Sequence, residues 1–221
     1  MKKLILSGLM SLVCASFGLA QTNTTDDYKK SEFFVGYSNN QVDTGLNSQG
    51  GTAFQNFFND RESFHGFNAS GTFNVTRYVG ITGDVSGAYK NKDFRFDVPT
   101  GPTTTGTISL DTKNSLYNFL GGVQIKDNAS EGKIKPFGYA LVGAGHRRTK
   151  FSNVTCPTGV DCSSLSGTDS ETGLAGAFGG GIDIKLNNKI DIRAIKVDYN
   201  PIKFDGGIDH NIRIGVGVVF K

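Results

Sequence analysis

Arg213-Ile214-Gly215-Val216-Gly217-Val218-Val219-Phe220-Lys221 is the stretch that decides how the rest of the chain is read. Side chains alternate across a β-strand with a period of two, so Ile212, Ile214, Val216, Val218 and Phe220 share one face. The opposite face carries Asn211, Arg213, Gly215, Gly217 and Val219. A half-buried strand of a soluble protein puts long Lys and Glu side chains on its polar face. Here that face is mostly tiny, with a single arginine. One side suits lipid and the other a crowded, hydrated interior, which is the alternation of a membrane-spanning β-barrel strand.

The composition agrees. The 221 residues suffice for one all-β domain of barrel size, and 30 glycines with 17 phenylalanines and no tryptophan fit many closely approaching strands with aromatic anchors. Charged residues make up 19% of the chain, below the roughly 25% of soluble domains. A net charge of +3, with no basic run interleaved with aromatics, argues against nucleic acid. Lys2 and Lys3, the apolar run Leu4 to Phe17 and the small residues of Gly18-Leu19-Ala20 read as a signal peptide, residues 1–20, cleaved after Ala20. Bulky Val13 before Cys14 excludes a lipoprotein signal. The mature chain has no apolar run near the ~20 residues of a transmembrane helix. Residues 21–31 read as a short, loose periplasmic tail and 32–221 as the outer-membrane barrel.

Eight alternating segments follow, at 32–39, 64–75, 79–89, 115–125, 136–147, 173–186, 190–199 and the C-terminal stretch. They predict an all-β, eight-stranded antiparallel up-and-down transmembrane barrel. Lipid-facing sets are Phe33, Val35 and Tyr37; Phe67, Phe73 and Val75; Val79, Ile81 and Val85; Tyr117, Phe119, Val123 and Ile125; and Leu174, Phe178, Ile182 and Ile184. In the fifth segment Phe137, Tyr139 and Leu141 are expected on the lipid side, opposite Gly138, Ala140, Val142 and Ala144. The seventh begins with Ile190 and Ile192 outward and ends with Ile195, Val197 and Tyr199, so its phase change predicts a bulge near Ala194.

The connections orient the barrel. Thr76-Arg77-Tyr78, Lys126 to Lys135 and Asn187-Asn188-Lys189 are short, whereas 40–63, 90–114 and 148–172 read as long loops and 200–209 as a shorter one. Short turns inside and long loops outside predict both termini in the periplasm. The aromatics then form two girdles: Tyr37, Phe67, Tyr89, Tyr117 and Tyr199 at the outer ends, and Phe33, Phe73, Tyr78, Phe137 and Phe220 at the periplasmic ends.

The bore of an eight-stranded barrel is just wide enough for side chains to fill it, so charges inside must pair. Asp84, Asp183, Arg193, Lys196, Asp198 and Arg213 are the inward candidates. A three-residue turn Asn187-Asn188-Lys189, closed by Leu186 and Ile190, puts Asp183 opposite Arg193. A two-residue turn would put Asp183 opposite outward Ile192. The expectation is a lumenal Asp183–Arg193 ion pair, extended by Asp84, Asp198 and Arg213, that plugs the barrel and does not gate a path. In an exported chain, Cys156 and Cys162 in a Ser/Thr/Gly-rich segment read as a disulfide stiffening a loop tip. His65, His146 and His210 are scattered without a triad partner, so no catalytic, metal or cofactor site is expected. Gly179-Gly180-Gly181 lacks the Lys-Ser/Thr of a phosphate loop.

Asn74-Val75-Thr76-Arg77-Tyr78-Val79-Gly80, Lys135-Pro136-Phe137-Gly138-Tyr139-Ala140-Leu141-Val142-Gly143 and Phe178-Gly179-Gly180-Gly181-Ile182-Asp183, running on to Arg193 and Val197-Asp198-Tyr199, resemble the small outer-membrane β-barrel domain family, of which the transmembrane domain of outer membrane protein A is the best-known member. The resemblance covers the chain from about Glu32 onward. It implies an eight-stranded antiparallel barrel in the Gram-negative outer membrane with periplasmic termini. Arg213, Gly215, Val218 and Phe220 look like the assembly signal read by the barrel assembly machinery, although Lys221 follows the aromatic residue. The resemblance is to the barrel domain alone, so no peptidoglycan-binding domain is expected.

The function expected is non-enzymatic: structural, surface-interacting or weakly pore-forming, with lipid and lipopolysaccharide as surroundings and a loop partner that the sequence does not identify. His146-Arg147-Arg148 marks a basic rim, read first as solvated and second as a contact for lipopolysaccharide phosphates. A barrel enzyme acting on lipid A or phospholipid would need a Ser or His with an acid at the lipid-facing rim. A soluble lipocalin-like carrier would need a solvated exterior. Val216→Arg is expected to be costly and Gly217→Ser mild.

Overall fold

The computed structural model describes residues 28–43, 61–99, 105–158, 161–162 and 165–221; the expected signal peptide, most of the tail and much of the 40–63 connection lie outside them. Eight strands, β1 (Ser31–Asp43), β2 (Arg61–Asn74), β3 (Val79–Pro99), β4 (Thr105–Lys126), β5 (Ile134–Thr155), β6 (Gly167–Lys185), β7 (Ile190–Phe204) and β8 (Gly207–Phe220), close into one barrel. Every neighbouring pair is antiparallel, and β8 closes on β1 from Phe33↔Phe220 to Gln41↔Ile212.

Local chemistry fixes the turns. Asn187 Oδ1 accepts the amides of Lys189 and Ile190 at 2.8 and 2.9 Å, which holds the three-residue turn between β6 and β7. Thr76 Oγ1 does the same for Tyr78 and Val79 between β2 and β3. Between β6 and β7 Asp183 pairs with Arg193 but Ile182 with Ile195, so Ala194 is the extra residue of a bulge in β7. The bulge lets Ile192 and Ile195, three residues apart, both face outward.

Four expectations are corrected. The stretches 90–114 and 148–172 are largely strand: β3 and β4 pair out to Pro99↔Thr105, and β5 and β6 out to Phe151↔Gly167. Their Thr, Asn and charged residues compose solvated hairpins, for which a polar composition is as suitable as it is for loops. Residues 200–209 are no loop either, because Phe204 pairs with Gly207 around a two-residue Asp205-Gly206 turn, a strong hairpin signal. The last residues of the tail are tied down: Asn74 donates from its backbone to Lys30 and from its side chain to Lys29, each at 2.7 Å. Finally, β5 is inverted. Phe137, Tyr139 and Leu141 point into the barrel and Val142 points out, so Phe137 leaves the girdle. Their partners across the sheets, Gly181, Gly179, Ala177 and Gly122, present almost no side chain, and the large residues fill the space left inside.

Outside, Phe33, Val35, Ile81, Val85, Phe119, Val123, Phe178, Val197, Ile214 and Val216 form a continuous exposed apolar belt, far beyond the scattered apolar residues of a soluble surface. Tyr37, Phe67, Tyr89 and Tyr199 are exposed toward one rim, with Tyr117 set edge-on to Tyr89, and Phe33, Phe73, Tyr78 and Phe220 toward the other. β2 leaves β3 at His65↔Tyr89, yet β3 runs on for ten residues, so a wall built from β3 to β6 rises roughly 30 Å further.

Candidate functional site

The lumen is layered, and β1 and β7, which run in the same direction, pass through the layers in one order that the antiparallel strands reverse. On β1 the inward residues are Glu32, Phe34, Gly36, Ser38, Asn40 and Val42; on β7 they are Asp191, Arg193, Lys196, Asp198, Asn200, Ile202 and Phe204. Charges therefore lie toward the end that carries the termini, asparagines lie above them, and an apolar stopper lies nearest the long strands.

At the first level Arg193 grips Asp183 with Nε and Nη2 at 2.8 and 3.0 Å. Lys126 bridges Asp183 at 2.8 Å and Glu32 at 2.8 and 3.0 Å. At the second level Asp84 accepts Lys196 at 2.8 Å, Arg213 at 2.9 Å and Asn68 at 2.9 Å. Arg213 Nε reaches both oxygens of Asp198 at 3.1 Å, and the Tyr139 hydroxyl donates to Asp198 at 2.5 Å. These eight ionised side chains are at most 6% exposed. Four are cations and four are anions, so the two clusters are neutral together. Breaking water contacts costs several kcal/mol per buried ion, and only this density of pairing offsets it.

All six charged residues singled out in the sequence are in the lumen, but they form two clusters. Phe34 lies between, with the Arg193 guanidinium 4.5 Å from its ring and Lys196 5.6 Å from it; Phe137 covers the other side of Arg193 at 3.9 Å. Glu32, Lys126 and Tyr139 were missed by the sequence reading. Parity contained the signal for the first two, since Glu32 shares the phase of Ser38 and Lys126 that of Gln124.

Beyond the clusters Asn40, Asn118, Asn200 and Asn211 are buried, then Val42, Phe64, Leu116, Ile202 and Phe204. Arg147 spans this mouth: it lies 4.4 Å over the Phe204 ring and pairs with Asp209 at 2.9 Å and Glu171 at 3.1 Å. The histidines each have a hydroxyl neighbour on the barrel exterior: His65 with Tyr37, His210 with Tyr199, and His146 with Thr172 at 2.8 Å. Cys156 and Cys162 are joined as a disulfide beyond the end of β5. At the opposite end, the paired Arg77 side chain holds the exposed Asp127 carboxyl below its usual range, and Lys185 does the same for Glu131.

The family profile described as outer membrane protein beta-barrel domain matches residues 10–220, nearly the whole chain. The chain belongs to that family. Among solved structures it is similar to the attachment invasion locus protein Ail of Yersinia pestis. In complex with the heparin analogue sucrose octasulfate, Ail is 19% identical with a TM-score of 0.50, covering 86% of this chain and 98% of that one. Without the analogue the values are 19% and 0.50, with 87% and 99% covered. Neisserial surface protein A is 10% identical with a TM-score of 0.49, covering 86% of this chain and 96% of that one. No curated protein matches the chain at a significant level. Family membership makes lipid the medium of the exposed apolar belt.

Proposed function

We propose that this family member is a non-enzymatic barrel, closed to ions, with both termini in the periplasm, and that it works at the cell surface through the wall formed by β3 to β6. The observation that carries the reading is the neutral, fully buried charge network, stoppered by Phe64, Leu116, Ile202 and Phe204, beneath strands that rise far past the lipid belt. The orientation follows from the short turns at one end and the long hairpins at the other.

The wall also suggests what it meets. Lys113 lies directly across from Lys150, and Arg148 is two residues along β5; all three are exposed and face outward, just beyond Tyr89 and Tyr117. Like charges placed directly opposite destabilise a strand pair unless an anion lies between them. Lipopolysaccharide phosphates in the outer leaflet would supply that anion. The purified protein should associate more strongly with lipopolysaccharide vesicles than with phosphatidylethanolamine vesicles, and Lys113→Ser with Arg148→Ser and Lys150→Ser should remove the difference. Retention of lipopolysaccharide by the triple variant would defeat this assignment. Unchanged lipid A masses after incubation are expected of a non-enzyme.

The assembly signal is read as Arg213, Gly215, Val218 and Phe220. Phe220 sits outward at the terminus-bearing rim, paired with Phe33 at the seam where the barrel closes. Phe220→Ala should lower the amount of folded protein recovered from outer membranes, while refolding in detergent proceeds as before.

A further inference from the structure

A cavity of ≈350 Å³ opens at the end of the barrel that carries both termini. Its wall includes Lys29, Asn128, Glu131, Lys135, Lys185 and Lys221, so four ammonium groups face one side-chain carboxylate. That carboxylate, Glu131, is engaged by Lys185, and Lys221 is paired with Asp191 behind the wall. Lys135 is left over. It is 6% exposed, has Lys221 and Lys126 as like-charged neighbours against Asp191, which Lys221 already holds, and among the described residues forms no direct salt bridge. Asn128 is 7% exposed, and both polar atoms of its side chain are buried without a hydrogen-bond partner. An ammonium crowded by like charges beside a buried amide without a partner is costly in an empty site and useful in a filled one.

We propose that this cavity binds a phosphate group, held by Lys135 and Lys29 with a hydrogen bond from the amide of Asn128. The wall offers lysines and no arginine. Lysine acts as a compact point charge with three donors, whereas the planar fork of arginine is what matches a carboxylate two-fold. A phosphate ester brings up to two charges and several acceptor oxygens, which answers both the excess of cations and the orphaned amide. The volume lies at the low end of the roughly 300–1,000 Å³ of small-molecule sites, so a headgroup or a small ester fits and a long chain does not. The source is either a soluble phosphate or a phospholipid headgroup.

The test uses the full mature protein refolded in a non-ionic, phosphate-free detergent and titrated calorimetrically. Three probes are applied: inorganic phosphate, glycerol phosphate, and short-chain phosphatidylglycerol below its micelle concentration. Saturable one-to-one binding of at least one probe is expected. Binding of the first two assigns a soluble ester, and binding of the lipid alone assigns a headgroup. Lys135→Gln should weaken binding at least tenfold and Asn128→Leu at least threefold, while Lys189→Gln, outside the cavity, stays within twofold. Because Lys135→Gln removes one of three crowded ammonium groups, its thermal midpoint without phosphate should equal or exceed that of the parent. Absence of saturable binding, equal affinity in Lys135→Gln, or a Lys135→Gln protein that no longer folds would each overturn the proposal.

Discussion

Gly215 and Gly217 share the inward face of β8 two residues apart, yet they tolerate side chains differently. A Cβ added at Gly217 would run into the Val35 carbonyl and come within 2.8 Å of the Phe34 ring. At Gly215 the nearest atoms are the Tyr37 carbonyl at 3.3 Å and Lys196 Cβ at 3.8 Å. The expectation of a mild Gly217→Ser is therefore wrong: facing the lumen is not the same as having room in it. Gly217→Ala should lower the urea midpoint of folding into lipid vesicles well below that of Gly215→Ala; equal midpoints would mean that β1 yields freely. Val216, between them, is exposed on the lipid side. Val216→Arg should cost about 2–4 kcal/mol in the same assay, as expected for an arginine near the bilayer midplane.

At the scale of elements, parity between strands carried most of what the sequence revealed. The Asn187-Asn188-Lys189 turn, the Ala194 bulge and the Asp183↔Arg193 register all follow from requiring charges on one face and branched apolar residues on the other. The same rule failed on β5, where both faces are apolar. Phe137-Gly138-Tyr139-Ala140-Leu141-Val142 shows alternating size without alternating polarity, and its direction depends on glycines of β4 and β6 that only the three-dimensional register brings alongside. The long hairpins were hidden for a related reason, since strands surrounded by water need no apolar face. The Asp183–Arg193 pair now has a sharper test, because Asp183 also holds Lys126. Asp183→Arg should cost about 3–5 kcal/mol, the range for stranding a buried partner. The double reversal with Arg193→Asp should recover only part of that, because Lys126 then faces a cation; full recovery would show that Lys126 has little hold on the site. The disulfide acts further out. Its closed ring is short, so replacing Cys156 and Cys162 with serine should cost less than the ~3 kcal/mol of a 15-residue loop, leave the barrel's heat-modifiable gel shift intact and speed protease nicking between β5 and β6.

For the molecule as a whole, the question is whether this barrel is a pore. A narrow path along the axis would have to pass Arg193 and Lys126 on Asp183, the Phe34 and Phe137 rings, Arg213 and Lys196 on Asp84, and then Phe64, Leu116, Ile202 and Phe204 before reaching Arg147. Two ion-pair clusters alternate with aromatic and apolar layers built from different strands, so no single side-chain rotation opens them together. Planar-bilayer recordings of the purified protein should therefore show no stepwise conductance, and Arg147→Ala, which removes only the outermost clasp, should stay silent as well. Removing a central cation behaves differently. Arg213→Ala leaves Asp198 with only the Tyr139 hydroxyl and Asp84 with Lys196 as its one cation, and at about 3–5 kcal/mol it should reduce the folded fraction before it yields a channel. Regular unitary steps from the parent protein would show that the charge layers move apart within the folded state, and the lumen would then be a gate and not a plug.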